Sequence, residues 1–307
     1  MKKFEQVIQK EFMMRKDGID GAFNIEMPAL VSVKGEPSLM MQVIKAAPER
    51  SKQNFFYTQE YPKTQIVLHF TEGNLHGDLA TLMKDDQHVS VPLVVARDGG
   101  IYRLFSPDYW AFNIGPNPIQ DHKEVSRKSV AIELSNYGPL KLKGNDLYNG
   151  YGDIYCTLDE KDAYIKLDKP WGNDGDFYVY FASFSDEQYD GLIILLRYLT
   201  AKYNIPRAFL PESVRYQPTS QAVTFKGIVT HANYRKDKAD IGPAFDWAKV
   251  IKGVTDPVYT PMTTRNIGTR GLDDDIRVLA SEKELDGKMF YRKRKTDFKE
   301  GDVEPDL

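Results

Sequence analysis

The sequence predicts an α/β domain whose central β-sheet is covered by helices. Short apolar runs rich in β-branched residues at 64–70, 129–135 and 228–230 are typical of buried strands. A leucine stripe at helical spacing predicts an amphipathic helix over 186–203. Strands that alternate with amphipathic helices favour a sheet with helices packed on its faces.

The first 55 residues are expected to form an amino-terminal extension. Apolar side chains at helical spacing predict one amphipathic helix over 2–14. Three prolines interrupt 19–60, which predicts irregular structure there. The extension lacks a recognisable site residue, so we expect it to contribute little to the chemistry.

The main domain is expected to span 56–254. A helix is predicted over 75–83, followed by a β-hairpin of 89–96 and 101–105 around the turn sequence Arg97-Asp98-Gly99-Gly100. The tyrosine- and glycine-rich stretch 145–183 is interpreted as a hairpin insertion.

The long helix has clear end signals. Ser185 and Gln188 predict a capping box at its start, and Pro206 lies just beyond its end. Beyond it, residues 255–307 contain clusters of like charge and little hydrophobic periodicity, so this carboxy-terminal extension is expected to be partly disordered.

Composition indicates an ordinary globular chain. Its 307 residues carry a net charge of −3, which gives no reason to expect nucleic acid or an anionic membrane as a partner. The single cysteine, Cys156, excludes an intrachain disulfide and is expected to be a buried, unreactive thiol. The basic amino terminus lacks the apolar region of a signal peptide, and no run approaches the ~20 apolar residues of a membrane span. We therefore expect synthesis in the cytoplasm.

Two histidines stand where predicted strands end. His69 closes the run at 64–70, His231 follows the run at 228–230, and Asp240 lies in the loop beyond. A lone histidine on an apolar strand is more often a core residue, but two in matched contexts with a carboxylate predict a three-ligand zinc site with an open fourth position. Glu133, between two apolar residues of a strand, is a candidate general base, and a structural ion-pair partner is the alternative.

Four segments together resemble a known family. VLHFTEG (67–73), VPLVVARDGGIYRL (91–104), SVAIELSN (129–136) and THANYRKDKADIGPAFDW (230–247) are similar to the zinc-dependent N-acetylmuramoyl-L-alanine amidases of the peptidoglycan-recognition type, which include phage amidase-type lysozymes. The resemblance covers about 60–252. It implies a central mixed β-sheet flanked by helices.

Carried over by position, the resemblance assigns the site. His69, His231 and Asp240 are implied as zinc ligands, Glu133 as the catalytic carboxylate, and Lys238 as the amine beside the reacting carbonyl. The alternative is that Lys238 is an ordinary surface lysine of a charged loop, but its spacing of two residues from Asp240 favours the functional role.

The chain also departs from the family. Pro92 or Leu93 stands where relatives often have histidine or tyrosine, and Asn113 where many have histidine. These departures affect the expected substrate contacts and leave the metal ligands intact. The remaining histidines, at 76, 88 and 122, lack matching partners in the sequence and are assigned no role.

The implied reaction is hydrolysis of the amide between the lactyl group of N-acetylmuramic acid and L-alanine of the peptidoglycan stem peptide. Expected partners are peptidoglycan or muropeptides, with a phage lysis partner or a delivery apparatus carrying the chain to the cell wall by a signal-independent route. Recycling of wall fragments in the cytoplasm is equally compatible. The alternative is a non-catalytic peptidoglycan-binding module of the same fold, while a zinc peptidase is disfavoured because no H-E-x-x-H motif is present.

Overall fold

A mixed β-sheet runs through the centre of the molecule, and helices pack on both of its faces. The computed structural model describes residues 3–8, 23–25, 29–46, 52–116, 118–173, 176–261 and 290–291. The predicted fold class is confirmed. None of the helices in these ranges combines the length and the apolar character needed to cross a bilayer.

The described strands form two sheets. In chain order they are β1 (Phe23–Ile25), β2 (Ala29–Val31), β3 (Leu39–Ala46), β4 (Gln65–Phe70), β5 (Leu93–Val95), β6 (Ile101–Arg103), β7 (Ser129–Leu134), β8 (Pro139–Lys143), β9 (Asp146–Tyr148), β10 (Ile154–Thr157), β11 (Tyr164–Asn173), β12 (Asp176–Ala182), β13 (Gly227–Thr230) and β14 (Phe290–Tyr291). The main sheet has the order β13-β4-β7-β5-β6-β3-β2-β14, and β1 also pairs with β3.

The helices cover the main sheet unequally. They are α1 (3–8), α2 (Leu75–Leu82), α3 (His122–Lys128), α4 (Asp186–Tyr203), α5 (Gln221–Thr224) and α6 (Trp247–Thr255). The long α4 and α6 pack against the face that presents Ile66 and Leu68 of β4. The opposite face presents Val67, which packs with side chains from α3 and α5. Burial on both faces explains why three consecutive apolar residues occupy the middle of β4, all of whose residues are buried.

Four strands at one end of the sheet run parallel. β13 pairs with β4, β4 with β7, and β7 with β5, all in parallel. Their carboxyl ends therefore meet at the same edge. The predicted hairpin is confirmed next to them, since β5 and β6 are antiparallel and Gly99 takes a positive φ of 79° in the connecting turn.

The amino-terminal extension belongs to the main sheet. β3 pairs in parallel with β6, and β1 and β2 both pair with β3. The prediction of irregular structure over 19–60 is wrong for these strands, because Pro37 lies between β2 and β3 and interrupts neither. Helix is present at 3–8 as predicted, and the rest of the predicted helix lies outside the described residues. The domain boundaries at 55 and 254 stay a prediction.

The insertion is a five-stranded antiparallel sheet with the order β10-β9-β8-β12-β11, larger than the predicted hairpin and beginning at Pro139. α1 packs on it, with the Phe4 ring centred 5.5 Å from that of Tyr155. Cys156 is buried in this sheet, and burial together with the charge of Glu160 raises the pKa of its thiol to about 12. The prediction of a buried thiol is confirmed.

The start of α4 differs in one respect from the prediction. Ser185 caps the helix by accepting a hydrogen bond of 3.0 Å from the backbone N–H of Gln188. The Gln188 side chain does not complete a capping box. It donates instead to the carbonyls of Val95 and Ser135, at 2.9 and 3.0 Å, because those strand-end carbonyls lie directly beneath the helix. This side chain ties α4 to β5 and to the end of β7.

Residues 255–307 lie mostly outside the described part of the chain. The charge clusters at 273–275 and 292–295 are among the residues not described, so the expectation of partial disorder stays a prediction. The short β14 pairs with β2.

Candidate metal and catalytic site

Three neighbouring strands deliver the candidate residues to one edge of the main sheet. His69 is the penultimate residue of β4, and Glu133 lies directly opposite it on β7. His231 follows the last residue of β13, which is the other neighbour of β4. Parallel pairing in this register brings together residues that are far apart in the sequence.

Three potential ligand atoms converge at this edge. Nδ1 of His69 and Nδ1 of His231 are 3.1 Å apart, and Nδ1 of His231 is 3.3 Å from Oδ2 of Asp240. Oδ1 of Asp240 accepts a hydrogen bond of 3.2 Å from the backbone N–H of Phe70, which fixes the carboxylate. His69, His231 and Asp240 are all buried and together form a group able to hold a metal ion.

The hydrogen bonds around His231 support a cation at this point. Nε2 of His231 is 2.7 Å from the carbonyl oxygen of Ile114. Because a carbonyl can only accept, Nε2 carries a hydrogen, which leaves Nδ1 as the ring nitrogen that can present a lone pair to a metal ion. That lone pair faces another imidazole nitrogen and a carboxylate oxygen. A bonded outer nitrogen that orients the inner one is typical of metal-binding histidines.

The electrostatic environment keeps the two ligand types in their metal-binding forms. Burial, followed by the charge of His231, lowers the pKa of His69 to about 3, so its ring is neutral at physiological pH. Burial raises the pKa of Asp240, but the hydrogen bond and charge of His231 outweigh it and the net shift is downward. A neutral imidazole and an ionised carboxylate are the forms that bind metals.

Glu133 stands beside this group without being part of it. Within the described part of the chain, its buried Oε2 has no hydrogen-bond partner. Burial and the charges of Asp240 and Asp78 raise the pKa of Glu133 well above its usual value, and the charge of Lys238 opposes this. A carboxyl group with a raised pKa and an unpaired oxygen is suited to accept a proton.

A cavity of about 340 Å³ gives access to these groups. Glu133, His231, Lys238 and Asp240 line it, as does Asn113. Lys238 is partly buried, and its charge affects the pKa values of both His69 and Glu133. The structure thus brings all five predicted site residues to one place.

Two acidic residues near the site were not singled out from the sequence. Glu72 lies at the mouth of the cavity, three residues after His69. Asp78 is buried in α2 and accepts hydrogen bonds from Thr71 Oγ1 at 2.9 Å and Ser135 Oγ at 2.6 Å. These bonds tie the loop after β4 to the end of β7. A carboxylate in an amphipathic helix normally indicates a solvated face, so its burial gave no signal in the sequence.

The residues at the family departures lie in different surroundings. Leu93 is fully buried in the core, whereas Asn113 lines the cavity, where its buried Oδ1 has no partner among the described residues. The remaining histidines contact aromatic rings: His76 with Phe23, His88 with Tyr57, and His122 with Phe112.

Comparison with known families identifies the architecture. A sequence profile described as N-acetylmuramoyl-L-alanine amidase matches residues 59–243, which is more than half of the chain. The chain belongs to this family. The predictions of family and enzyme class are confirmed, and the amidase profile includes the whole insertion sheet. No curated protein sequence matches the chain.

Several solved amidase structures are similar to parts of this chain. The amidase AmiD from E. coli is 20% identical over 73% of this chain and 65% of its own, with a TM-score of 0.40. AmpD is 16% identical over 73% of this chain and 97% of its own, with a TM-score of 0.39. The endolysin LysCS from Clostridium intestinale is 14% identical over 68% of this chain and 91% of its own, with a TM-score of 0.36. The chain therefore spans about two thirds of the length of AmiD.

Proposed function

We propose that this chain is a zinc-dependent amidase that hydrolyses the bond between the lactyl group of N-acetylmuramic acid and L-alanine of the stem peptide. Family membership supports the bond and the substrate class. The observation that carries the proposal is the convergence of two imidazole nitrogens and a carboxylate oxygen beside an unpaired, buried glutamate oxygen.

His69, His231 and Asp240 would hold the zinc ion. Two histidines and one carboxylate are a donor set found in catalytic zinc sites, which keep a further position open. When bound, zinc supplies Lewis-acid chemistry, polarising a carbonyl oxygen and increasing the acidity of water. The Ile114 carbonyl and the Phe70 N–H keep two of the ligands in place.

Glu133 is proposed to move the proton. Its Oε2 accepts a proton from the attacking water as the water oxygen bonds to the carbonyl carbon. It then returns the proton to the nitrogen of L-alanine, and the carbon–nitrogen bond breaks. Lys238 is proposed to stabilise the negative charge that develops on the carbonyl oxygen. Its place in the same cavity wall as Glu133 supports that role.

Substitution of Glu133 by glutamine tests the proposal. The amide retains the shape of the side chain but cannot accept the proton, so we expect kcat to fall by about 10²- to 10⁴-fold with zinc content unchanged. Release of stem peptide from intact sacculi and from soluble muropeptides is followed by mass spectrometry. Glu124→Gln, the same change at an exposed position of α3, is the control.

The possible outcomes distinguish the proposed function from its alternatives. Activity of Glu133→Gln within a few-fold of the parent would make Glu133 structural. A zinc-loaded parent that binds peptidoglycan and releases no stem peptide would favour the non-catalytic binding module. Cleavage of sacculi would support action on the cell wall with a lysis partner or delivery apparatus, whereas cleavage of muropeptides alone would support recycling of wall fragments.

A further inference from the structure

A second, larger cavity opens beside the candidate site and extends over the insertion sheet. Its volume is about 750 Å³, and Thr71 and Glu72 line both cavities. These two residues follow His69 closely in the chain, so the groove lies next to the proposed metal site. Tyr137 and the insertion supply the remaining wall, and the insertion contributes Lys141, Lys143, Tyr148, Tyr151 and Tyr178.

Two lysines lie on the part of this groove that the insertion forms. Lys141 and Lys143 are two residues apart on β8, and both are exposed. Among the described residues that line the groove they are the only cations, and Glu72 is the only carboxylate. Two cations close together on the groove lining favour an anionic ligand at this end of the groove.

Aromatic rings position the lysines. Nζ of Lys141 lies 5.4 Å from the ring centre of Tyr178, and Nζ of Lys143 lies 5.9 Å from that of Tyr148. Contacts of this kind are attractive between an ammonium group and an aromatic face, and they limit the freedom of a long side chain. Less side-chain entropy is therefore lost when the lysines bind a ligand.

Tyr151 presents a large exposed ring from an ordered loop. Its side chain is 69% exposed and lines the groove. Oδ1 of the buried Asn149 accepts hydrogen bonds from the backbone N–H groups of Tyr151 and Asp153, each at 3.0 Å. The loop therefore holds the ring on the groove wall, where it can contact an extended ligand.

From these features, and resting on the proposed function, we infer that the groove binds the stem peptide and that Lys141 and Lys143 pair with its free carboxylates. The glycan side of the scissile bond carries no charge once the lactyl group is in amide linkage, whereas the peptide side does. Charge complementarity therefore favours the peptide. The insertion thus selects substrates by the ionisation of the stem peptide, next to a metal site that performs the hydrolysis.

The test uses two muramyl tripeptide amides that differ at one group. One contains D-γ-glutamate with a free α-carboxylate, and the other contains D-isoglutamine, its neutral amide. We expect the zinc-loaded parent to have a KM about 10-fold lower for the acid, and Lys141→Gln/Lys143→Gln to remove that preference by raising KM for the acid alone. kcat is expected to change by less than about twofold because the zinc ligands are untouched.

Lys161→Gln/Lys166→Gln is the matched control. It removes the same charge from exposed lysines of the same insertion, outside the groove lining. Nζ of Lys166 also lies 5.9 Å from a tyrosine ring centre, that of Tyr180. We expect this variant to retain the preference for the acid.

A binding measurement keeps the inference independent of turnover. Titration calorimetry with L-alanyl-D-γ-glutamyl-L-lysine amide, which lacks the sugar, should show about 10-fold weaker binding to the groove variant than to the parent or the control variant. Lysine-dependent binding without cleavage would retain the groove assignment and reject the proposed function. Equal binding by all three proteins, or an equal rise in KM for acid and amide, would overturn the inference.

Discussion

At the scale of single residues, the site depends on which nitrogen of each histidine is free. His231 donates its Nε2 hydrogen to the Ile114 carbonyl, so Nδ1 is the nitrogen that faces His69 and Asp240 and can bind a cation. His69 has no partner for its buried Nε2 within the described ranges. The facing atoms are two imidazole nitrogens and a carboxylate oxygen, all of which can accept. One metal ion can bind all three of them, whereas a hydrogen between two of them leaves the third without a donor.

Replacement of His231 by alanine should abolish zinc binding. The substitution removes one of the three proposed ligands, and we expect the zinc affinity to fall by more than about 100-fold. Removing even an outer-shell partner of a ligand typically lowers metal affinity by about 10- to 100-fold. Elemental analysis after dialysis measures the zinc content. His88→Ala is the control because that ring stacks on Tyr57, outside the metal-binding group. Full zinc occupancy in His231→Ala would show that the ion binds elsewhere.

The depressed pKa of His69 predicts acid sensitivity of the metal-free protein. The folded-state pKa of about 3 lies below the ordinary value of 6.5, so the unfolded chain binds a proton here that the folded chain does not. Stability is therefore lost as pH falls below about 6.5. Between pH 7 and pH 5, the parent should lose about 2 kcal/mol more free energy of unfolding than His69→Gln. Urea unfolding at the two pH values measures the difference. Equal losses of unfolding free energy in the parent and in His69→Gln would contradict the lowered pKa of His69.

At the scale of elements, α4 is fitted closely to the β5–β6 hairpin. Gly191 of α4 faces the turn residue Gly99, and a Cβ at position 191 would lie 2.6 Å from the Gly99 carbonyl oxygen. Gln188 adds hydrogen bonds from the same helix to the ends of β5 and β7. The helix thus positions the strand that carries Glu133 through both contact and hydrogen bonding.

Gly191→Ala should destabilise the protein despite the higher helix propensity of alanine. Propensity favours the substitution by about 1 kcal/mol, but a clash with a backbone atom in a packed interface typically costs about 1–3 kcal/mol. Gly77→Ala in α2 is the control because its Cβ would have no neighbour closer than 3.7 Å. Denaturant unfolding should show a lower free energy of unfolding for Gly191→Ala and a higher one for Gly77→Ala. Two gains would mean that α4 can move away from the hairpin.

At the scale of the whole molecule, the amino-terminal extension is joined to the main domain through the central sheet. β3 extends the main sheet beyond β6, and Glu36, in the turn before β3, pairs with the buried Arg197 of α4 at 2.5 Å. Arg207 forms a second ion pair with the same carboxylate. A chain trimmed to 56–254 would retain every proposed site residue and lose these contacts, so we expect it to be less stable.

Glu36→Gln isolates that connection without removing any strand. It leaves the buried guanidinium of Arg197 without its carboxylate, and breaking a buried pair in this way typically costs about 3 kcal/mol or more. Glu124→Gln, which breaks an exposed pair with Lys128 within α3, should cost no more than about 0.5 kcal/mol. Thermal and urea unfolding measure both. Equal small losses would show that the extension contributes little to stability.

Local pattern in the sequence determined the strands of the parallel region, the long helix and the positions of the candidate ligands at strand ends. These features depend on side-chain periodicity and on residues a few positions apart, which can be read along the chain. The family assignment followed from motifs that retain their order. His69, Glu133, His231, Lys238 and Asp240 could all be singled out in this way.

Tertiary structure alone decided how these pieces combine. The β13-β4-β7 order and its register, which set His69 opposite Glu133, arise from pairing between segments more than 60 residues apart. The same holds for β3 beside β6, for Gln188 bonded to strand ends, and for the groove between the loop after β4 and the insertion. Such contacts depend on the free energy of the whole packed chain, because each segment alone is compatible with many partners.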